Sequence, residues 1–517
     1  MNRLTSGTAT PHELLNGLAL ALLVITMAAC GGAPPPATGV TVSIDQADSV
    51  MLVGQTLVLT ATVTAPTEAS KEVHWTSSNE TVATVTPEGT VTAAAPGEAT
   101  ITATSAFDAS AQDATKITVT EPGSFSDAAW TRQFGTGEDD SASAVAVDTL
   151  GNVLVAGSTR GIVEGTPGGN GDAFVRKYSA DGEILWTRQF GTTSTDMAHA
   201  VAVDAVGNVL VAGETLGALE GTYQGRGDAF VRKYSPAGEV IWTRQFGTDD
   251  IDSVRALAVD GSGNVHLAGY TFGTLEGFRQ GNTDAFVRKY SADGDVVWTR
   301  QFGTELQDIA SAVAVDAAGN VAVAGYTGGD LGGPTAGWND AFLRKYGPAG
   351  NELWTVQVGT DVGDAMHGVA YDSSGNIVVA GYTLGTLVEG APGYGDAFVS
   401  KYDYEGAEIW TRQFGTSSED RADAIAVDAA GNVLVAGHTY GALEGTRQGR
   451  SDAFVRRYTA DGDPDWTSQF GTAAEDEAHA VVVDSRGNVL VAGITRGSLE
   501  GEAFGQEDVF VRKYGAP

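Results

Sequence analysis

Two sets of side chains recur every 56 residues at positions where they could do chemistry. Asp140, Asp196, Asp252, Asp308, Asp364, Asp420 and Asp476 each lie just ahead of an alternating apolar run. Carboxylates gathered around one axis would form an acidic ring suited to a hard cation such as calcium, whose preferred ligand is carboxylate oxygen. Capping of a local loop is the competing role for an aspartate at a turn. Three residues further on, the copies diverge into Ser143, His199, Arg255, Ser311, His367, Asp423 and His479. Three of the five histidines within residues 122–517 fall at that one position. Imidazole binds metals and transfers protons near neutral pH. Yet His199, His367 and His479 belong to the second, fifth and seventh copies, too spread around a ring to meet one ion at ~2 Å. A hydrated channel mouth is the simpler reading of this set, and a metal or small-ligand site is the sharper one.

Other candidates sit in loops. Tyr223, Trp338 and Tyr394 are aromatics unique to their copies, suited to stacking on sugars or peptides. Arg226-Gly227-Asp228 spells an adhesion tripeptide, but its aspartate recurs in every copy while the preceding pair varies, which marks a structural residue. The same reasoning assigns Asp148, Asp172 and their equivalents to turn capping. No D-x-D-x-D-G calcium loop, G-x-S-x-G elbow, zinc motif or phosphate loop occurs. No cofactor is therefore expected, with calcium or another divalent cation kept as the candidate ion for the acidic ring.

These residues need a frame, and the repeat supplies one. Trp130, Trp186, Trp242, Trp298, Trp354, Trp410 and Trp466 are spaced 56 residues apart without insertion or deletion. One copy, Asp139 to Thr192, contains four short apolar or alternating runs separated by turn residues, the pattern of four strands. Gly151 fits the positive-φ position of the first hairpin, and Pro236 and Pro348 fit the second residue of a type I turn in later copies. Four-stranded units repeated around an axis make a β-propeller. The last copy ends after its third strand, Asp508 to Tyr514, while an orphan fourth strand, Ala129 to Gly135, precedes the first copy. The expected architecture is all-β: seven blades, the N-terminal strand completing the last. Both acidic and mixed sets then fall near the channel mouth on the face carrying the variable loops, the natural binding face.

The segments DAFVRKY (Asp172 to Tyr178), VAVDxxGNVLVAG (Val145 to Gly157) and WTRQFG resemble the bacterial SBBP β-propeller repeat over Trp130 to Tyr514. The stretch from Trp75 to Ser105 resembles the group 2 bacterial Ig-like domain, which implies a small β-sandwich over residues 38–121 with Trp75 in its core. Such domains look like spacers or adhesion modules. Residues 1–29, with an apolar stretch from Leu18 to Ala29 too short to span a bilayer, resemble a lipoprotein signal ending before Cys30, the sole cysteine and expected lipidation site. Residues 30–37 then read as the lipidated cysteine and a tether, and residues 122–517 as the propeller.

The formal charge of −35 argues against nucleic acid or anionic lipid as a partner. The resulting expectation is an exported monomer, lipid-anchored in the cell envelope at the outer membrane of a Gram-negative bacterium, presenting the propeller to a protein or glycan at the cell surface. A propeller-type enzyme, a lyase or glycan hydrolase with a central-channel site, is the alternative. A purely structural envelope protein is the third.

Overall fold

A computed structural model describes residues 40–44, 49–52, 56–66, 69–120, 128–166, 168–391, 393 and 395–516. The expected signal segment 1–29, Cys30 with the tether over 30–37, and Tyr394 lie outside the described residues. Contacts divide the chain into two units, Met1–Glu121 and Pro122–Pro517.

The first unit is built of alternating Val, Thr and Ala, which gives half-buried strands with one apolar face. Val73–Ser77, Gly97–Ser105, Gln112–Thr120 and Ser49–Leu52 make one sheet, and Thr56–Val58, Thr90–Ala93 and Ala83–Val85 a second. Ile101, Ile117, Val91, Leu59 and Val82 are buried together, with Trp75 packed against them. This is an Ig-like sandwich.

The second unit consists of seven four-stranded antiparallel blades. Blade 1 comprises Asp140–Val147, Val153–Thr159, Asp172–Tyr178 and Ile184–Phe190, and the pattern repeats through blade 6. Blade 7 joins Asp476–Val483, Val489–Thr495 and Asp508–Tyr514 to the N-terminal strand Ala128–Phe134. That strand pairs antiparallel with the third strand, Thr131 opposite Arg512 and Phe134 opposite Val509. Each innermost strand touches its neighbours on both sides, so seven of them close a ring around an axis.

The second and third strands are apolar on both faces because each is covered by the blades on either side. Leu154, Ala156, Ala173 and Val175 of blade 1 pack against Val201, Val209, Val211 and Phe230 of blade 2. Outer-strand aromatics complete each interface, Phe190 meeting Phe230 edge-on at 5.7 Å between ring centroids. The repeated W-T-R segment latches one blade to the next: Trp186 Nε1 donates to the Pro236 carbonyl at 3.0 Å, and Arg188 Nε to the Gly238 carbonyl at 2.7 Å. Gln189 holds the loop of its own blade, donating to the Gly161 carbonyl and to Asp172. In the bottom hairpin Asp148 accepts from the Leu150 and Asn152 amides and pairs with Lys177 at 2.8 Å, and Gly151 takes a φ of 83°.

Candidate functional site

The channel is lined through a defect repeated in every innermost strand. Ala142 pairs with Gly157 and Ala144 with Ala156, so the residue between them is skipped in the ladder as a β-bulge. A bulge re-aims a side chain that strict alternation would send elsewhere. The same skip occurs at His199, Arg255, Ser311, His367, Asp423 and His479. The glycine opposite makes the bulge sterically feasible, since a Cβ at Gly157 would collide with the Ser141 carbonyl. All seven bulged residues border the channel: a mouth cavity of about 410 Å³ on one side of the ring and a second space of about 260 Å³ on the other. The mouth is lined mostly by polar side chains, whereas Val201, Leu257, Val313, Val369 and Ile425 line the second space.

The seven aspartates weighed as a candidate acidic ring at the channel mouth are elsewhere. Asp140, Asp196, Asp252, Asp308, Asp364, Asp420 and Asp476 are fully buried and do not line the mouth cavity. Each turns back into the loop before its strand, where Asp196 accepts from the Thr192 amide at 2.6 Å and its hydroxyl at 3.0 Å, and from the hydroxyl of Thr215. Thr136, Thr248, Thr304, Thr360, Thr416 and Thr472 serve the other six. Threonine four residues ahead of the aspartate is the sequence signal for this cap. Among the described residues, no three His, Cys, Asp or Glu side chains are placed to share a metal ion. The geometry corresponds to the capping alternative.

The mouth is polar and asymmetric. On the side of blades 5 to 7, Asp423 lies between two imidazoles, its Oδ1 3.4 Å from His367 Nδ1 and its Oδ2 3.0 Å from His438 Nδ1. Burial pushes the Asp423 carboxyl up, but the hydrogen bonds to both histidines outweigh it and hold the group well below the ordinary carboxylate range. Burial likewise opposes the charge on His438, and the hydrogen bond and charge of Asp423 raise it overall. His479 Nδ1 faces the Ala142 carbonyl at 2.9 Å and Nε2 faces Glu477 at 3.4 Å, two acceptors that an imidazolium alone can serve together. Its pKa rises accordingly, with burial working against the Glu477 hydrogen bond and the charge of Asp423.

The opposite side has another character. Arg255 is exposed and places its guanidinium 5.2 Å from the Tyr270 ring, donating to that phenol at 3.3 Å. Beside it, burial and then the Arg255 charge push the His199 imidazole down to about 3, so it is neutral, and its Nε2 is buried without a hydrogen-bond partner.

His438 and Tyr270 expose a second variable ring that sequence reasoning missed. The x of the A-G-x-T segment is Ser158, Glu214, Tyr270, Tyr326, Tyr382, His438 and Ile494 around the blades. Variation at one position inside an invariant motif was the available signal. These side chains lie against the bulge ring: Tyr382 packs edge-on to His367 at 5.4 Å and under Arg421 at 4.5 Å.

Loop candidates fall outside the mouth. Trp338 is 75% exposed and Tyr223 half-buried, and neither borders the central cavity. Asp228 of the adhesion-like tripeptide is fully buried and accepts from Gln245 at 2.7 Å, so it is unavailable to a partner. The fifth propeller histidine, His266, is buried beside Asp260 at 3.3 Å, away from the mouth.

These features define a seven-bladed β-propeller with an asymmetric polar mouth. Residues 129–162, 185–219, 241–275, 297–332 and 409–443 match the SBBP beta-propeller repeat, and residues 38–120 match the bacterial Ig-like domain (group 2). The chain carries SBBP-type beta-propeller repeats and one group 2 bacterial Ig-like domain. It is similar to the regulatory protein FlaEY of Caulobacter vibrioides, 26% identical over 412 residues that cover 70% of this chain and 42% of that protein. It is also similar to an uncharacterized WD repeat-containing protein of Acanthamoeba polyphaga mimivirus, 20% identical over 499 residues, 70% of this chain and 36% of that one. The chain thus spans less than half the length of these two curated relatives. Among solved structures, Sqt1 from Chaetomium thermophilum aligns over 76% of this chain and 99% of its own, at 11% identity and a TM-score of 0.42.

Proposed function

We propose that this chain is a lipid-anchored cell-surface binding protein whose propeller mouth receives a protein or glycan ligand, with the Ig-like domain as its spacer. One observation carries the reading: sevenfold symmetry is kept where blades are latched together and lost where they face the mouth cavity. The latch tryptophan, the Asp–Thr loop cap and the bottom hairpin recur in all seven blades and the latch arginine in five, whereas the two mouth rings between them combine acid, base, aromatic and hydroxyl. Anchoring through Cys30, outer-membrane placement and a monomeric state rest on the sequence alone.

The test is a glycan and peptide array probed with the full chain and with a symmetrised variant, His367→Ser, Asp423→Ser, His438→Tyr. Each introduced residue already stands at that position in another blade, as Ser143, Ser311 and Tyr382 do. A ligand bound by the parent and lost in a variant of unchanged melting temperature supports the reading. Equal binding by both places the ligand elsewhere and defeats it. A second reading, the propeller-type enzyme, is favoured by the His367–Asp423 pair, a carboxylate orienting an imbidazole as a base requires. Conversion of the array ligand on prolonged incubation, abolished by His367→Ser, would select it.

A further inference from the structure

Charge accounting around the mouth leaves one group without an ionic partner. Asp423 is matched by His438, Glu477 by His479, and Arg421 by Glu419 at 2.6 Å. Arg255 forms no salt bridge among the described residues, and its one hydrogen bond there goes to the Tyr270 hydroxyl. A guanidinium carries five donors, so most of its capacity is unused. Glu214 feels the Arg255 charge but makes no salt bridge with it; it is buried, and burial raises its pKa against the hydrogen bond of Ser253 and the charge of Arg255. An exposed, unmatched cation inside a cavity is conspicuous in a chain of net charge −35.

From this geometry we infer that the mouth cavity binds a sugar carboxylate, the carboxylate on Arg255 and the ring hydroxyls on the serines and His199. This deepens the mouth-ligand reading above and rests on it. One unmatched cation accommodates a monoanion, while a phosphate dianion would confront Asp423 and Glu477 with its second charge. The body of the ligand must be hydroxylated, because Ser141, Ser143, Ser311, His199 and Tyr326 dominate the lining and Ile309 is its aliphatic exception. An apolar acid would leave those groups dehydrated and unpaired. Half-buried Tyr270 supplies an aromatic face 5.2 Å from the Arg255 guanidinium, and half-buried Tyr326 borders the same cavity. A volume of about 410 Å³ lies at the small end of ligand pockets and suits a terminal sugar residue.

The experiment is titration calorimetry of the full chain with glucuronate and galacturonate, against glucose, galactose and cyclohexanecarboxylate. The expected result is uronate binding, with neutral sugars and the hydroxyl-free acid each weaker by about tenfold or more, the size of one lost charged hydrogen bond. Arg255→Gln should weaken uronate by about tenfold or more. Arg421→Gln, which removes a matched charge at the same mouth, should change it less than about twofold. Arg255→Lys keeps the charge but not the fork and should fall between. Melting temperatures of all three variants confirm folding. Equal affinity for sugar and uronate, indifference to Arg255→Gln, or no uronate binding at low millimolar concentration overturns the inference. If the array yields a ligand sensitive to the symmetrised variant while uronates fail, the ligand class alone is wrong. If neither binds, the mouth-ligand reading falls with it.

Discussion

Four of the propeller histidines, His199, His266, His438 and His479, show how one side chain is set to opposite ends of its titration by its neighbours. His266 is fully buried where four other blades carry Leu154, Leu210, Leu434 and Leu490, and its Nδ1 has no partner. Burial pushes its pKa down to about 4, against the hydrogen bond of Asp260. A depressed histidine is neutral in the fold and takes up a proton on unfolding below about 6.5, so stability falls as pH drops from there toward about 4. His266→Leu should therefore stabilise by about 1 kcal/mol at neutral pH, as consensus core substitutions do, with a gain that grows between pH 6.5 and 4. Denaturant midpoints at several pH values check this, and a gain independent of pH would refute the buried neutral imidazole. His438 has the reverse sign. Its raised pKa makes its contribution complete below the unfolded value near 6.5 and lost as pH rises through the folded one. His438→Gln should accordingly cost more stability at pH 6 than at pH 9, measured the same way.

At the scale of elements, the bulge and its facing glycine form one unit. Gly213 of blade 2 sits against the Met197 carbonyl so closely that a Cβ would collide with backbone, which cannot swing aside as a flexible side chain would. Gly213→Ala should cost about 3 kcal/mol or more by overpacking, whereas Gly221→Ala, in open space with a φ of 69°, should cost about 1 kcal/mol of backbone strain. Paired unfolding curves decide, and equal costs would mean that the bulge relaxes. The bulge also explains what the sequence could and could not reveal. Period, strand count, the closing strand and the Gly151 turn were legible because each follows from spacing and turn chemistry. The bulge was hidden because the Ala-rich innermost strand reads as apolar on both parities, with or without a skipped residue. For the same reason, Asp140 and its equivalents were expected near the channel mouth: sequence distance from a strand does not say whether a carboxylate points to the axis or into its own loop. His438 escaped notice because it lies on the second strand, and only folding brings it to Asp423.

For the whole propeller, the question is where the ring opens. In six blades the third and outer strands are joined by a tight hairpin, such as Ser179 to Glu183, so their pairing is backed by a covalent turn. Blade 7 has no such turn, and Ala128–Phe134 is held to Asp508–Tyr514 by the strand ladder and side chains alone. The contacts themselves are equivalent. Phe134 meets Phe174 at 5.6 Å where Phe190 meets Phe230 at 5.7 Å, and Arg176 and Arg232 cover the two rings at 3.9 and 4.4 Å. Phe134→Ala and Phe190→Ala should therefore lose similar equilibrium stability, about 3 to 5 kcal/mol for a phenylalanine truncated in a packed interface. Their kinetics should differ. Rupture of the blade 7 ladder frees both ends of the ring at once, while rupture within blade 1 leaves its strands tethered through a short loop that favours re-pairing. If unfolding begins at the closure, Phe134 has already lost its contacts in the rate-limiting state, and its truncation should accelerate unfolding by nearly the full equilibrium loss. Phe190 would still be packed in that state, so its truncation raises the energy of native and transition states alike, leaves the unfolding rate little changed and slows refolding instead. Chevron kinetics decide: faster unfolding of Phe134→Ala together with slower refolding of Phe190→Ala marks the closure as the first point to open, and the same division between limbs in both variants would refute it.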